Sequence, residues 1–308
     1  MKVYYKKLIE GTTIPAIIHN GNYYYLNMSV YEDGTIDCYE RVALDCISEK
    51  LDTDWLVTHV PDGKAISIHG LTALTVANGK WDYTPKSYQQ HILDTVKSMN
   101  KNMVGIHKDT DEQKAKWEKH RTYWTTYGKP YKIRESLGYG LLDGESASVF
   151  LRQNDTYHLV SISGFADDTF LMSSNPNSND ETVTVEKITN LVNCGDIVCA
   201  PPKDSVVYLP GLGSFEVADD SLWSADVKEK LKEILELPNR AGSRETAHDR
   251  AVRLYHQYLT YPQDWAREQL REAYEAVPEH ERMYLGDMDS KDWDYIRILY
   301  EPDRKREV

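Results

Sequence analysis

Two stretches decide the fold. The first is Pro15-Ala16-Ile17-Ile18-His19-Asn20-Gly21-Asn22-Tyr23-Tyr24-Tyr25-Leu26-Asn27-Met28-Ser29-Val30-Tyr31-Glu32-Asp33-Gly34-Thr35-Ile36. The second is Val149-Phe150-Leu151-Arg152-Gln153-Asn154-Asp155-Thr156-Tyr157-His158-Leu159-Val160-Ser161-Ile162-Ser163-Gly164-Phe165-Ala166-Asp167-Asp168-Thr169-Phe170. They align without a gap, so that Asn20-Gly21 falls on Asn154-Asp155 and Tyr31 on Phe165. In each, two β-rich runs flank a pair of residues that tolerates positive φ, the strongest short hairpin signal. Residues 55–80 then align on 196–221, bringing together Pro61 with Pro202, Gly70-Leu71 with Gly211-Leu212 and Val76-Ala77 with Val217-Ala218. Both copies close on a tryptophan, Trp81 and Trp223.

Between those blocks each copy continues in the same order. Leu44, Ile47 and Leu51 in the first, and Val185, Ile188 and Leu191 in the second, recur at helical spacing. Each copy is therefore predicted to run β-β-β-α-β-β-β. The fold class expected is α+β, with two tandem antiparallel β-rich repeats joined by helices and followed by a C-terminal helical hairpin. The domain boundaries expected are 1–82 for the first repeat, 83–140 for a helical connector, 141–223 for the second repeat and 224–308 for C-terminal helices and tail. In the connector, 86–101 and 112–123 read as helices. A helix over 224–235 is expected to break at Pro238-Asn239-Arg240. Ser243 is expected to cap a helix that stops at Tyr261, with Pro262 opening a second. This pair is similar to one tetratricopeptide-type unit, which cannot bury its own faces and needs the sheets beside it. Tyr295–Tyr300 reads as a final strand.

Composition narrows the function. Lys and Arg number 36 against 49 Asp and Glu, a formal charge of −13. Phosphate binding depends on cationic side chains, so nucleic acid is not expected as a ligand, nor is an anionic membrane surface. Residues 141–223 hold 13 acids against 3 bases. That imbalance reads either as a solvated face or as a field presented to a basic partner. No apolar run reaches membrane-spanning length, and Met1–Lys7 leads into no apolar segment of the secretory kind. Four cysteines without a paired spacing suit a reducing, cytoplasmic setting. Tyrosines number 22 against 4 phenylalanines, as half-buried sheet faces or interfaces would use them.

Chemistry is harder to find. Asp287, Asp289, Asp292 and Asp294 offer oxygens for Ca²⁺ or Mg²⁺, although Lys291 and the missing glycine and glutamate depart from an EF-hand loop. The bland alternative is turn and cap chemistry. His59, His69 and His280 are possible bases, but Ala200 and Pro210 replace the first two in the second copy. There is no Gly-x-Ser-x-Gly, P-loop or His-Glu-x-x-His, so no catalytic residue and no cofactor is expected.

The start Ile14-Pro15-Ala16-Ile17-Ile18-His19-Asn20-Gly21, the turn Tyr31-Glu32-Asp33-Gly34, and the tail Ala276-Val277-Pro278-Glu279-His280-Glu281-Arg282 with Leu285-Gly286-Asp287-Met288-Asp289 together resemble an uncharacterised bacterial family. The resemblance spans nearly the whole chain. It implies a cytoplasmic bacterial protein with two copies of one module, and it carries no activity. The function expected is a non-enzymatic protein-protein interaction scaffold, of an immunity, antitoxin-like or defence-associated kind, binding a basic protein through Tyr24, Tyr31, Asp167, Asp168, Asp219 and Asp220. The alternative is a metal-dependent hydrolase with its site between the repeats or at the acidic tail.

Overall fold

The computed structural model describes residues 10–108, 110, 112, 144–173, 181–287 and 289–304. Nearly all of the second connector helix expected, 112–123, lies outside them, as do residues 174–180 of the Ser- and Asn-rich run 173–180, which reads as a loop. The chain divides into two compact units, Met1–Leu141 with Pro202–Leu222, and Leu142–Pro201 with Trp223–Val308. The units cut across the repeats, because the last hairpin of the second repeat belongs to the first unit.

In the first unit, β1 (Gly11–Asn20) and β2 (Asn22–Tyr31) pair along their whole length, from Gly11 opposite Tyr31 to Asn20 opposite Asn22. Gly21 makes the reversal at φ +73°. β3 (Thr35–Asp37) pairs β2 and β4 (Arg41–Ala43), and a 3-10 turn then leads into α1 (Ile47–Asp52). β5 (Leu56–Val57) pairs β1 antiparallel, while β6 (Ala65–Ile68) runs parallel to β2. β7 (Thr72–Trp81) returns against β6, and α2 (Pro85–Met99) follows. α2 begins at Thr84, whose hydroxyl accepts the Ser87 amide while the Ser87 hydroxyl accepts the Thr84 amide. Ile17, Met28, Ile36, Ile47, Ile66, Leu74 and Ile92 are fully buried.

The second unit opens with β8 (Gly144–Gln153) and β9 (Thr156–Phe165), paired from Gly144 opposite Phe165 to Gln153 opposite Thr156. Asn154 and Asp155 turn the hairpin with positive φ at both, the geometry their residue types favour. β10 (Phe170–Ser173), β11 (Glu181–Val183), α3 (Val185–Asn193) and β12 (Ile197–Val198) follow in the order of the first copy. Each copy thus has one more short strand before its helix than the sequence predicts. β13 (Val206–Leu209) and β14 (Gly213–Val217) form the hairpin held in the first unit, where β14 pairs β7. In that ladder Val217 faces Val76, its own counterpart, and Glu216 faces Ala77. Only a local two-fold gives such a register, so the last strands of the two copies meet as equivalents.

The short strand β15 (Trp223–Ser224) leads into α4 (Val227–Ala241), α5 (Ala247–Thr260), α6 (Asp264–Ala276), a 3-10 helix (Glu279–Tyr284) and α7 (Trp293–Tyr300). Three expectations are corrected. Pro238 lies inside α4, buried, and does not end it, although its missing amide removes one i→i−4 hydrogen bond. Thr246, not Ser243, caps α5, sharing a capping box with Asp249. Tyr295–Tyr300 is helical, with Tyr295, Ile298 and Leu299 buried at i, i+3 and i+4. Those three complete an apolar cluster with Ala251, Leu254, Leu270, Ala273, Tyr274 and Val277, so α7 covers the helical hairpin in the role expected of the sheets.

Candidate functional site

The two repeats extend further than their strands. Counting on from Trp81 and Trp223, the fifteen-residue helices α2 and α4 are equivalents, each opened by a side-chain cap, Thr84 and Asp226. Ile92 and Ile234 match, and both are fully buried. The same count sets Tyr88 on Lys230 and His91 on Glu233. Tyr88 is buried and its hydroxyl donates to the Pro15 carbonyl at 2.6 Å. Lys230 is only 2% exposed and Glu233 8%. The second copy therefore buries a charged pair where the first has rings.

That pair is the centre of a cluster. Lys230 Nζ donates to Glu233 Oε2 at 2.8 Å, and His280 Nε2 lies 2.6 Å from the same oxygen. Arg240 Nη2 donates to both oxygens of Glu281, at 2.7 and 2.6 Å. The Glu279 amide donates to Glu229 Oε2 at 3.1 Å. Arg282 turns inward, giving hydrogen bonds to the Val277 and Glu275 carbonyls and lying 4.8 Å from the Tyr274 ring. Every residue of Glu279-His280-Glu281-Arg282 is thereby used, the first three against α4. Burial pushes the Glu233 carboxyl upward, but the His280 hydrogen bond and the Lys230 charge outweigh it and hold it below its ordinary value. With Nε2 on the carboxylate, His280 is left with a buried Nδ1 that has no partner. Cys199, whose thiol feels the Lys230 and Glu233 charges, is pushed up to about 12 chiefly by burial and stays a thiol.

Donor atoms of Glu233, His280 and Glu281 lie within 4.8 Å of one another, the spacing of a metal triad. Electrostatics oppose that use. Lys230 and Arg240 already neutralise the two carboxylates, and a dication would leave the cluster strongly positive in a poorly solvated place. Beside it, a half-open depression of about 560 Å³ is lined by Arg240, Ser243, Arg244, His248 and Tyr284. Its cations are likewise taken, Arg240 by Glu281 and Arg244 by Asp168 at 2.6 Å.

The tail aspartates do not converge into a comparable group among the described residues. Asp287 Oδ1 accepts the Asp289 and Ser290 amides and the Ser290 hydroxyl, which holds its carboxyl below the usual range. Asp292 accepts the Tyr274 hydroxyl at 2.8 Å, and Asp294 accepts Tyr255 at 2.6 Å and Arg297 at 2.9 Å. Gly286 is required there, since a Cβ would overlap the Lys291 carbonyl. The loop is built by turn and cap chemistry. Of the expected contact residues, Tyr24 and Tyr31 are half-buried on β2, and Asp219 and Asp220 are exposed, Asp219 lying 3.6 Å from Lys203. Asp167 caps Thr169, and Asp168 pairs with Arg244 within the second unit. His59 and His69 are exposed on the first unit. Lys230 and Glu233 were not foreseen; carrying the repeat alignment past Trp223 would have set Lys230 on the buried Tyr88 and Glu233 on the half-buried His91.

A family model described as Domain of unknown function (DUF7638) matches residues 1–103 and 132–244. A second, Domain of unknown function (DUF7639), matches 246–307. No curated protein and no solved structure matches. The resemblance to an uncharacterised family is borne out, and its two-segment match fits the tandem arrangement. The seam between the models falls at Glu245, so the ionic cluster joins residues of the first model to residues of the second.

Proposed function

The chain belongs to the DUF7638 family, with a DUF7639 segment following it, and on that premise we propose that it is a non-enzymatic scaffold that binds another protein with a basic surface. One observation carries the reading. Of the fourteen large apolar side chains that stand exposed among the described residues, seven lie in residues 246–307: Leu259, Tyr261, Trp265, Met283, Tyr284, Trp293 and Tyr300. Aromatic rings offered to solvent at that density suit a contact surface, where they supply area at small entropic cost. The charge of −13 supplies steering toward a cationic partner, with Asp167, Asp168, Asp219 and Asp220 at its turns and Tyr24 and Tyr31 on β2 as further contacts. An immunity or antitoxin-like protein of a bacterial defence system, blocking a basic partner in the cytoplasm, is the concrete form of this reading. No helix among the described residues is long and apolar enough to cross a membrane, which suits it.

Affinity capture from the native host tests it, comparing the wild type with a Tyr261→Ser/Trp265→Ser variant. A basic protein should be retained by the wild type, released by added salt, and bound at least about 30-fold more weakly by the variant. Capture of nothing, or equal capture by both, would overturn it. Among the described residues, the group a metal-dependent hydrolase could use is Glu233, His280 and Glu281. Its sign would be stoichiometric metal in the purified protein, and the expected finding is less than that.

A further inference from the structure

The ionic cluster has the composition of a joint. The repeat side and the tail side have separate apolar clusters, one built from Val149, Ile162, Ile188, Ile234 and Leu237, the other from Leu254, Leu270, Tyr274, Ile298 and Leu299, with no residue in common. Between them stand charged contacts: Glu233 with His280, Arg240 with Glu281, Glu229 with the Glu279 amide, and Glu236 with the Ala247 amide. The covalent link is short and partly exposed, running from Gly242 to Thr246 with Ser243 at φ +51°. The two family models meet within that link. The equivalent helix α2 shows that the repeat does not itself require buried charge at these positions, because Tyr88 and His91 serve there.

We propose that residues 246–307 are a separately folded module latched to α4 by the Lys230–Glu233–His280 and Arg240–Glu281 contacts, and that the latch opens without either apolar core unfolding. Ion pairs are suited to such a device. They lose much of their strength when one partner leaves, whereas an apolar seam keeps most of its area under a single substitution. The open form frees the 3-10 helix Glu279–Tyr284 and uncovers the α4 face that holds Lys230, Glu233 and Arg240. The proposal goes beyond the protein-binding reading and stands whether or not a partner is found.

Native-state hydrogen exchange on the full chain tests it, using the wild type, a His280→Gln/Glu281→Gln variant, and the charge exchange Arg240→Glu/Glu281→Arg. In the first variant, amides of residues 279–285 and of the link should exchange at least about tenfold faster. Those of Leu254 and Leu270 in the module, and of Ile162 and Ile188 in the repeat, should keep wild-type protection. The charge exchange should restore slow exchange at the joint. Loss of protection in either core together with the joint would overturn the proposal, as would an unchanged rate at 279–285. Calorimetry gives a second reading that does not need complete folding of the variant. The wild type should melt in fewer steps than His280→Gln/Glu281→Gln, whose module should melt on its own, lower by about 5 °C or more. A variant that melts with the wild type's steps, merely shifted, contradicts a latch.

Discussion

α2 and α4 are the same helix used twice, and they differ where it matters. Both have fifteen residues, a side-chain cap and a buried isoleucine at the same position. In α2 the buried face is finished with Tyr88, whose one polar atom is satisfied by the Pro15 carbonyl on β1. In α4 it is finished with Lys230 and Glu233, which pair with each other, and His280 from outside the helix adds a second partner to the Glu233 carboxylate. A duplicated scaffold has therefore kept one copy as a closed apolar body. The other has become an attachment point, at the cost of burying charge. The difference between copies marks the place where the chain does more than fold.

The largest effect expected from breaking that comparison is at Glu233. Glu233→Ala removes the buried carboxylate that Lys230 and His280 share and should destabilise the second unit by about 3–5 kcal/mol. His91→Ala, at the equivalent but half-exposed position, should cost about 1 kcal/mol or less. Urea denaturation of both variants checks the contrast. Next is Gly213, at the head of the strand that meets β7 about the local two-fold. Its φ is +131°, and a Cβ would overlap the Lys80 carbonyl, so Gly213→Ala should cost about 2–3 kcal/mol. The equivalent position in the first copy is Thr72, which carries its side chain fully buried. A harmless Gly213→Ala would show that the strands do not meet as described. Tyr88→Phe should cost about 1 kcal/mol by orphaning the Pro15 carbonyl, again read by urea melting.

Acid should separate the copies more gently. Burial holds the His91 ring below its ordinary 6.5, with Asp94 opposing. The unfolded chain therefore takes up that proton first, and the contribution is present above 6.5 and lost as pH falls through the lower folded value. The Glu233 carboxyl is held below its ordinary 4.5. Its contribution is present above 4.5 and disappears only as pH falls through its own depressed value. Stability measured from pH 7 to pH 3 should thus first decline in a step that His91→Gln makes smaller, with half-buried His158 contributing in the same direction. A second decline should follow that Glu233→Gln makes smaller, and the reverse order would contradict the assignments.

Much of the scaffold was legible because its signals are local. Asn20-Gly21 and Asn154-Asp155 announce hairpins through the positive φ they accept, and the small and aromatic residues of α5 and α6 announce a helical pair. The pairing of β14 with β7 was not legible, since nothing in either strand names a partner so distant in the chain. Tyr295–Tyr300 read as a strand because six residues rich in Tyr and Ile fit both periods, and packing against α6 decided between them. The tail aspartates looked like ligands because four carboxylates in eight positions resemble a cation loop. Two of them serve tyrosine hydroxyls instead. Lys230 and Glu233 were hidden for the opposite reason. In a helix as charged as Val227–Ala241 they look like surface, yet both are buried in the folded chain.

Whether α4's buried charges exist to hold the tail is tested most directly by a double-mutant cycle of Glu233→Gln and His280→Gln. The readout is the opening free energy of residues 279–284 from native-state hydrogen exchange. A coupling of about 1 kcal/mol or more between the two positions is the result this account predicts. Effects that add to within about 0.5 kcal/mol would contradict it, and would return Lys230 and Glu233 to the status of an isolated buried pair.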